Sequence, residues 1–413
     1  MTHMVRVPVQ PQMLQWAVDR ARVTPGEVRA RFANYDAWVA GTAKPTLRQL
    51  EEFARAMHAS IGYFFMPEPP VEVIPIPDYR TVAGRGVERP SPDLLDTLYV
   101  CQQRQAWYRE YAMAMREPAL PFVGSIDRHA QTQDAANLIR HALGFDIEQR
   151  RQFSRWEDAL RHFISQAEDL GVLVMVSGVV GSNNNRKLNT EEFRGFALSD
   201  LLAPLVFING ADSKSAQIFT LALELAHLWL GESALSNPTL RSASDNAPER
   251  WCNEVAAELL VPLDAIRSDY DRDSGLQEMQ RLACVFKVST LVILRRFHDA
   301  KFLTQTAFWA AYDQEVQRLR QLADSSFSGG NFYHTTAARV GKRFARTIIG
   351  SALEGRASFS EALHLLGFKK MSTFKDLGHT VGVANAIPIR RCRVMGGSRA
   401  YTWHNTSDNI GKG

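Results

Sequence analysis

A chain of 413 residues, 45% hydrophobic, is long enough for roughly two to four compact units, and its net charge of +4 is too small to argue for nucleic acid by itself. The longest apolar run, Gly171 to Gly181, falls short of the ~18 to 20 residues that span a bilayer, and the N-terminus carries charge throughout, so neither a membrane span nor a secretory signal is predicted. Cys101, Cys252, Cys284 and Cys392 have neither the density of a disulfide framework nor a CxxC metal spacing, and a reducing cytoplasm is the expected compartment.

Residues 1–66 are predicted to form a bundle of small helices. Thr24-Pro25-Gly26-Glu27 is a capping box with proline in the first turn, and Thr46-Leu47-Arg48-Gln49 repeats the logic. Leu14, Ala17, Val18 and Ala21, then Val28 and Phe32, then Leu47, Leu50, Phe53, Ala54 and Met57 recur at three-four spacing, so each helix offers one face to a shared core. Five prolines between Pro67 and Pro77 remove backbone donors and favour extended chain, which makes 67–91 a linker or strap.

Residues 92–324 are predicted to form an α+β domain. Long helical stretches, Leu94 to Met115 and Ser154 to Leu170, precede three short β-branched or aromatic runs: Gly171 to Val176, Phe193 to Leu198 and Leu205 to Ile208. Gly, Asn, Ser and Pro separate these strands, and a helix capped by Asp212 or Ser213 follows them. Ser325 to Asn331 reads as a hinge, 325–380 as a basic helical region carrying Arg339, Lys342, Arg343, Arg346 and Arg356, and 381–413 as a disordered or loosely docked tail.

The chemistry lies in two of the helices. Phe219 to Gly231 (FTLALELAHLWLG) carries Glu224 and His227 in an apolar sequence, and Glu249 to Pro262 (ERWCNEVAAELLVP) carries three glutamates, Glu249, Glu254 and Glu258. A zinc-peptidase helix needs two imidazoles one turn apart, with a glutamate directly after the first to activate the metal-bound water. Glu224 and His227 occupy the last two of those three places, and Leu223 stands in the first. An isolated histidine on an apolar helix is ordinarily a core group; an acid and an imidazole buried within one turn, facing further glutamates, are costly unless paired or metal-bound.

The two segments resemble the ImmA/IrrE metallopeptidases, whose HExxH helix is followed by a helix of the form E-x-x-C-N-x-x-A-A-x-L-L-x-P. The resemblance implies a zincin-like fold with a small mixed sheet, a zinc cofactor, Glu224 as general base, and His227 and Glu249 as metal ligands. Asn253 would be the polar residue one turn after Glu249 that orients a ligand. Glu258 is the competing third ligand, and Cys252 is expected to be a small packing residue. Leucine has no lone pair, so zinc affinity should fall by orders of magnitude and hydrolysis with it. The sheet segments also resemble the larger members of the family, where an edge strand can take up an extended peptide.

Val23 to Phe65, with Trp38, Gly41, Pro45-Thr46 and Leu50, resembles the XRE-type helix-turn-helix fused to those larger members. That resemblance implies DNA binding, with Asn34 and Tyr35 reading bases and Arg29, Arg31, Lys44 and Arg48 on phosphates. Val39 and Ala40 replace the family's charged residues there, which leaves a docking or dimerisation bundle as the competing reading. The layout implies either a regulatory zinc endopeptidase, impaired here by Leu223, acting on a protein substrate, or a non-catalytic regulator binding DNA or a toxin-like partner. Tyr333 and His334, after the hinge, are further candidates to swing over the metal cleft.

Overall fold

The computed structural model describes residues 5–79, 89–236, 246–271, 275–323 and 332–383. The first four helices, α1 (Pro11–Ala21), α2 (Pro25–Arg31), α3 (Tyr35–Val39) and α4 (Leu47–Ala56), with a 3-10 turn at Ile61–Phe65, form the N-terminal bundle. Both capping boxes close: the Thr24 amide donates to Glu27 at 2.9 Å while the Thr24 hydroxyl accepts from the Glu27 amide, and Thr46 and Gln49 do the same. The core gathers on Phe53, whose ring meets Phe32, Tyr35, Trp38 and Phe64 at 5.2 to 6.2 Å. Tyr35 therefore sits inside the bundle, only 7% exposed. The expectation that it reads a base edge is corrected by that burial, since its ring is stacked on Phe53 rather than turned to solvent.

The proline-rich segment runs as a docked strap. Arg20 and Glu72 make a buried ion pair at 2.7 Å, Ile74 and Ile76 pack on the core of the following domain, and residues 77–79 pair with a strand of its sheet.

Helices α5 (Pro92–Met115), α6 (Thr132–Leu143), α7 (Ile147–Arg151) and α8 (Trp156–Leu170) lead into β1 (Leu173–Ser177), β2 (Gly195–Leu198) and β3 (Leu205–Asn209), close to the three predicted strands. A fourth strand, β4 (Ala234–Ser236), follows α9 (Lys214–Leu230) and was not anticipated. The sheet order is β1-β3-β2-β4, with β1 and β3 parallel and β2 antiparallel to both neighbours, so the α+β class and the mixed sheet are as expected.

Side chains alternate between two cores, as strand geometry requires. Val174, Ala197, Val206 and Ile208 face the core built with α8, α9 and α10 (Ala247–Leu260), joined by α11 (Leu263–Asp269), α12 (Gly275–Phe286), α13 (Thr290–Asp299) and α14 (Gln305–Ala323). Met175, Phe196, Leu205, Phe207 and Leu235 face a second core completed by α5 and by α15 (Phe332–Val340), α16 (Lys342–Leu353), α17 (Phe359–Leu366) and α18 (Met371–Thr380).

The basic C-terminal helices thus cover one face of the sheet, and several of their cations are spent internally. Arg343 donates to the Tyr108 hydroxyl at 3.0 Å and to the Glu168 carbonyl at 3.1 Å, and Arg346 donates to the Val381 carbonyl at 2.9 Å. Gly341 opens this docking at φ +79, where an added Cβ would lie 2.7 Å from the Val174 carbonyl. The hinge, the side chains of Tyr333 and His334, and the tail beyond residue 383 lie outside the described residues.

Candidate metal centre

Helix α9 starts at Ser213, whose hydroxyl accepts from the Ala216 amide at 3.3 Å, and stops at Gly231 with φ +76. Between them every residue from Thr220 to Trp229 is buried, because the sheet lies on one side and α8 and α10 on the other. That environment explains a helix apolar all round, and it makes Glu224 and His227, both 0% exposed, costly exceptions. Gly195 at the start of β2 lets the acid fit: a Cβ there would meet Thr220 Cγ2 at 2.4 Å, the Phe207 carbonyl at 2.8 Å and Glu224 Oε1 at 3.1 Å.

Helix α10 brings Glu249, in its first turn, against α9. His227 Nε2 donates to Glu249 Oε2 at 2.9 Å, and on the other side of the ring Nδ1 lies 3.4 Å from Cys252 Sγ. The Ser236 hydroxyl, at the end of β4, reaches the same Glu249 oxygen at 3.5 Å. Asn253 donates to the Glu249 carbonyl at 2.8 Å and to its Oε1 at 3.3 Å, so the residue expected to orient a ligand holds the carboxylate of its own helix.

Glu224 faces this cluster without a hydrogen bond of ordinary geometry on either oxygen among the described residues. Burial, and then the Glu249 charge, push its carboxyl well above the usual range, with the Ser236 hydroxyl offsetting part of the shift. Burial likewise pushes the Cys252 thiol well up, followed by Glu249 and Glu224. Leu223, which the resemblance sets at the position of the first imidazole, is wholly buried.

Glu258 belongs elsewhere. Its carboxylate pairs with Arg296 of α13 and accepts from the Leu263 amide at 3.3 Å, and Arg296 also donates to the Val261 carbonyl at 2.8 Å. This staples the end of α10 to α13 and removes Glu258 from the running as third ligand.

Two site residues have no signal in the helix motifs. Tyr79, from the strap, lays its ring on the His227 imidazole at 5.8 Å with a 29° interplanar angle and donates its hydroxyl to Glu232 at 3.4 Å. Burial, and then Glu232, push that phenol up to about 12. Ser236 is the other, and its strand was too short to register as one. Of the bundle residues, Asn34, Arg29, Arg31 and Lys44 are exposed, with Arg29 paired to Asp36 at 3.0 Å.

A catalytic zinc takes three protein ligands and water, with Zn–N and Zn–O bonds near 2.0 to 2.2 Å that set neighbouring donors about 3.3 Å apart. Here two donors meet at hydrogen-bond distance, the third position is leucine, and Cys252 lies on the far nitrogen of the ring. Among the described residues no group of three or more His, Cys, Asp or Glu side chains could hold a metal. The donor set does not fit a three-ligand zinc.

The fold and this cluster define an α+β domain in which a small mixed sheet backs a buried His227–Glu249 pair with Glu224 beside it. Residues 167–298 match the family model described as the IrrE N-terminal-like domain, a span from within α8 to within α13 that takes in the sheet, α9 and α10. Residues 340–380 match a domain of unknown function (DUF8813), which covers α16 to α18. No curated protein and no solved structure matches the chain. No described helix is long and apolar enough to cross a membrane.

Proposed function

We propose that this chain is a regulatory protein of the ImmA/IrrE zinc-endopeptidase type whose domain, with Leu223 in place, does not hydrolyse peptides and acts by binding a protein partner. The observation that carries this reading is the buried leucine beside a His227–Glu249 pair closed by a direct hydrogen bond. Without a metal to lower the pKa of a bound water, a buried carboxyl has no activated nucleophile to deprotonate, and burial pushes the Glu224 carboxyl well above its usual range. The exposed Asn34, Arg31 and Lys44 support a DNA-contacting role for the N-terminal bundle, a helix-turn-helix in this reading, while the burial of Tyr35 leaves little of its surface to read bases.

The test is the full chain and its Leu223→His variant, assayed for zinc per chain by elemental analysis and for cleavage of a fluorogenic protein substrate. The expected result is well under one zinc in the parent chain and close to one in the variant, with cleavage lost again in Leu223→His/Glu224→Gln. Stoichiometric zinc in the parent chain, lost on replacing His227, would overturn the reading.

A further inference from the structure

The face of the sheet turned away from α9 carries a second polar cluster, which the His227–Glu249 site does not use. Arg104 of α5 is only 4% exposed, yet it donates to no carboxylate: its Nε bonds the Leu365 carbonyl at 2.9 Å, and its Nη1 the Arg339 carbonyl at 3.3 Å and the Met175 sulfur at 3.4 Å. Arg339 of α15, beside it, is half-buried, and its Nε is buried with no hydrogen-bond partner among the described residues. The acids one to three turns up α5 are already taken, since Arg186 holds Asp93 at 2.6 Å and Asp96 at 2.7 Å. Burial lowers the pKa of both guanidinium groups, and the Arg339 charge adds to the shift at Arg104. Two like charges kept side by side out of water are costly unless an anion joins them.

Both arginines line one cleft, about 240 Å³ counted out to its open mouth, together with Thr97, Ser177, Gly181 and Phe207. Its hydroxyl protons are committed, Ser177 donating to the Val179 carbonyl at 2.6 Å and Thr97 to the Asp93 carbonyl at 2.6 Å. The donors left for a ligand are guanidinium N–H groups, which cannot accept, so the ligand must be an acceptor. We propose that this cleft is an anion site for a phosphoryl group, held between Arg104 and Arg339. A phosphoryl group brings up to two negative charges and three acceptor oxygens, which matches two cations, whereas a carboxylate leaves one of them unmet. The cleft is smaller than the ~300 to 1,000 Å³ of a pocket for a whole drug-sized ligand, so it takes the phosphoryl group alone. Arg104 also bonds the carbonyls of α15 and α17, so an occupied cleft fastens the C-terminal helices to the sheet. The site lies on the other face from His227 and Glu249 and needs neither zinc nor hydrolysis.

The experiment titrates the full chain, in phosphate-free buffer, with inorganic phosphate against chloride at matched ionic strength, by isothermal calorimetry and thermal unfolding. The parent chain should take up phosphate saturably, with a rise in Tm of about 2 °C or more at ~10 mM. Arg339→Met should lose about tenfold or more in affinity, and Arg104→Met likewise. Arg104→Met also breaks the bonds to the Leu365 and Arg339 carbonyls, so Arg339→Met, which leaves both in place, decides the matter if the other variant does not fold. No saturable phosphate binding in the parent chain, or equal affinity in Arg339→Met, would overturn the site. The latter result would place the ion on exposed cations such as Arg31 and Lys44 instead. Adenosine monophosphate in a second titration separates the sources: binding at least as tight as phosphate and lost in Arg339→Met assigns a phosphoester, and binding of inorganic phosphate alone assigns the free ion.

Discussion

Replacing Glu258 by Gln separates the two buried glutamates of α10. Glu258 and Arg296 are each 4% exposed, and their ion pair is supplemented by the Leu263 amide on one side and by Val261 and Asp299 on the other. Removing one partner of a buried pair typically costs ~3 to 5 kcal/mol, because the other charge stays desolvated. Asp299, 3.3 Å from the guanidinium, remains as a partner, so the loss should fall near the lower end, about 3 kcal/mol. Urea denaturation of Glu258→Gln, Arg296→Met and the double variant should give that loss for the first, and a double variant less damaged than the sum of the singles. In the Leu223→His background the same substitution should leave zinc uptake intact. A loss under ~1 kcal/mol, or zinc binding abolished by Glu258→Gln, would refute the structural assignment and return Glu258 to the metal site.

Gly195→Ala should destabilise by about 1 to 3 kcal/mol in the same assay, since its methyl must displace the Phe207 carbonyl and the Thr220 methyl; an unchanged midpoint would show that α9 is free to move off β2. Glu224 is raised by burial, so the folded state holds a proton that the unfolded chain releases near pH 4.3, and stability should fall as pH rises above that value by up to ~1.4 kcal/mol per unit. Glu224→Gln should flatten this slope and stabilise the chain at neutral pH, and a parallel pH profile in the two proteins would contradict it. Binding of the full chain to duplex DNA at low salt, read by fluorescence anisotropy, should weaken on Arg31→Ala or Lys44→Ala with a shallower salt slope, while Tyr35→Phe changes nothing. No binding at about 50 mM salt would assign the bundle to protein docking.

What the sequence determined by itself was local. Capping boxes at Thr24 and Thr46, the strand runs before α9, and the single-turn spacing of Leu223, Glu224 and His227 follow from side-chain chemistry within a few residues, and the structure keeps all of them. The Glu-x-x-Cys-Asn order put Glu249 ahead of Glu258 by resemblance, and in the structure Glu249 lies 2.9 Å from His227 while Glu258 pairs with Arg296. Periodicity, however, says which face of an element is apolar and not what covers it. The basic helices α15 to α18 could be read as a solvated region because only the fold discloses that the second face of the sheet needs them. Tyr35 looked available at a helix N-terminus until Phe53, eighteen positions on, was packed against it. β4 is three residues long and exists only through its bonds to β2 and to the strap, and those bonds in turn bring Tyr79 onto His227 from a stretch whose prolines signalled nothing beyond extension. Long-range pairing of this kind is fixed by the joint shape of two cores, which no short window of sequence contains.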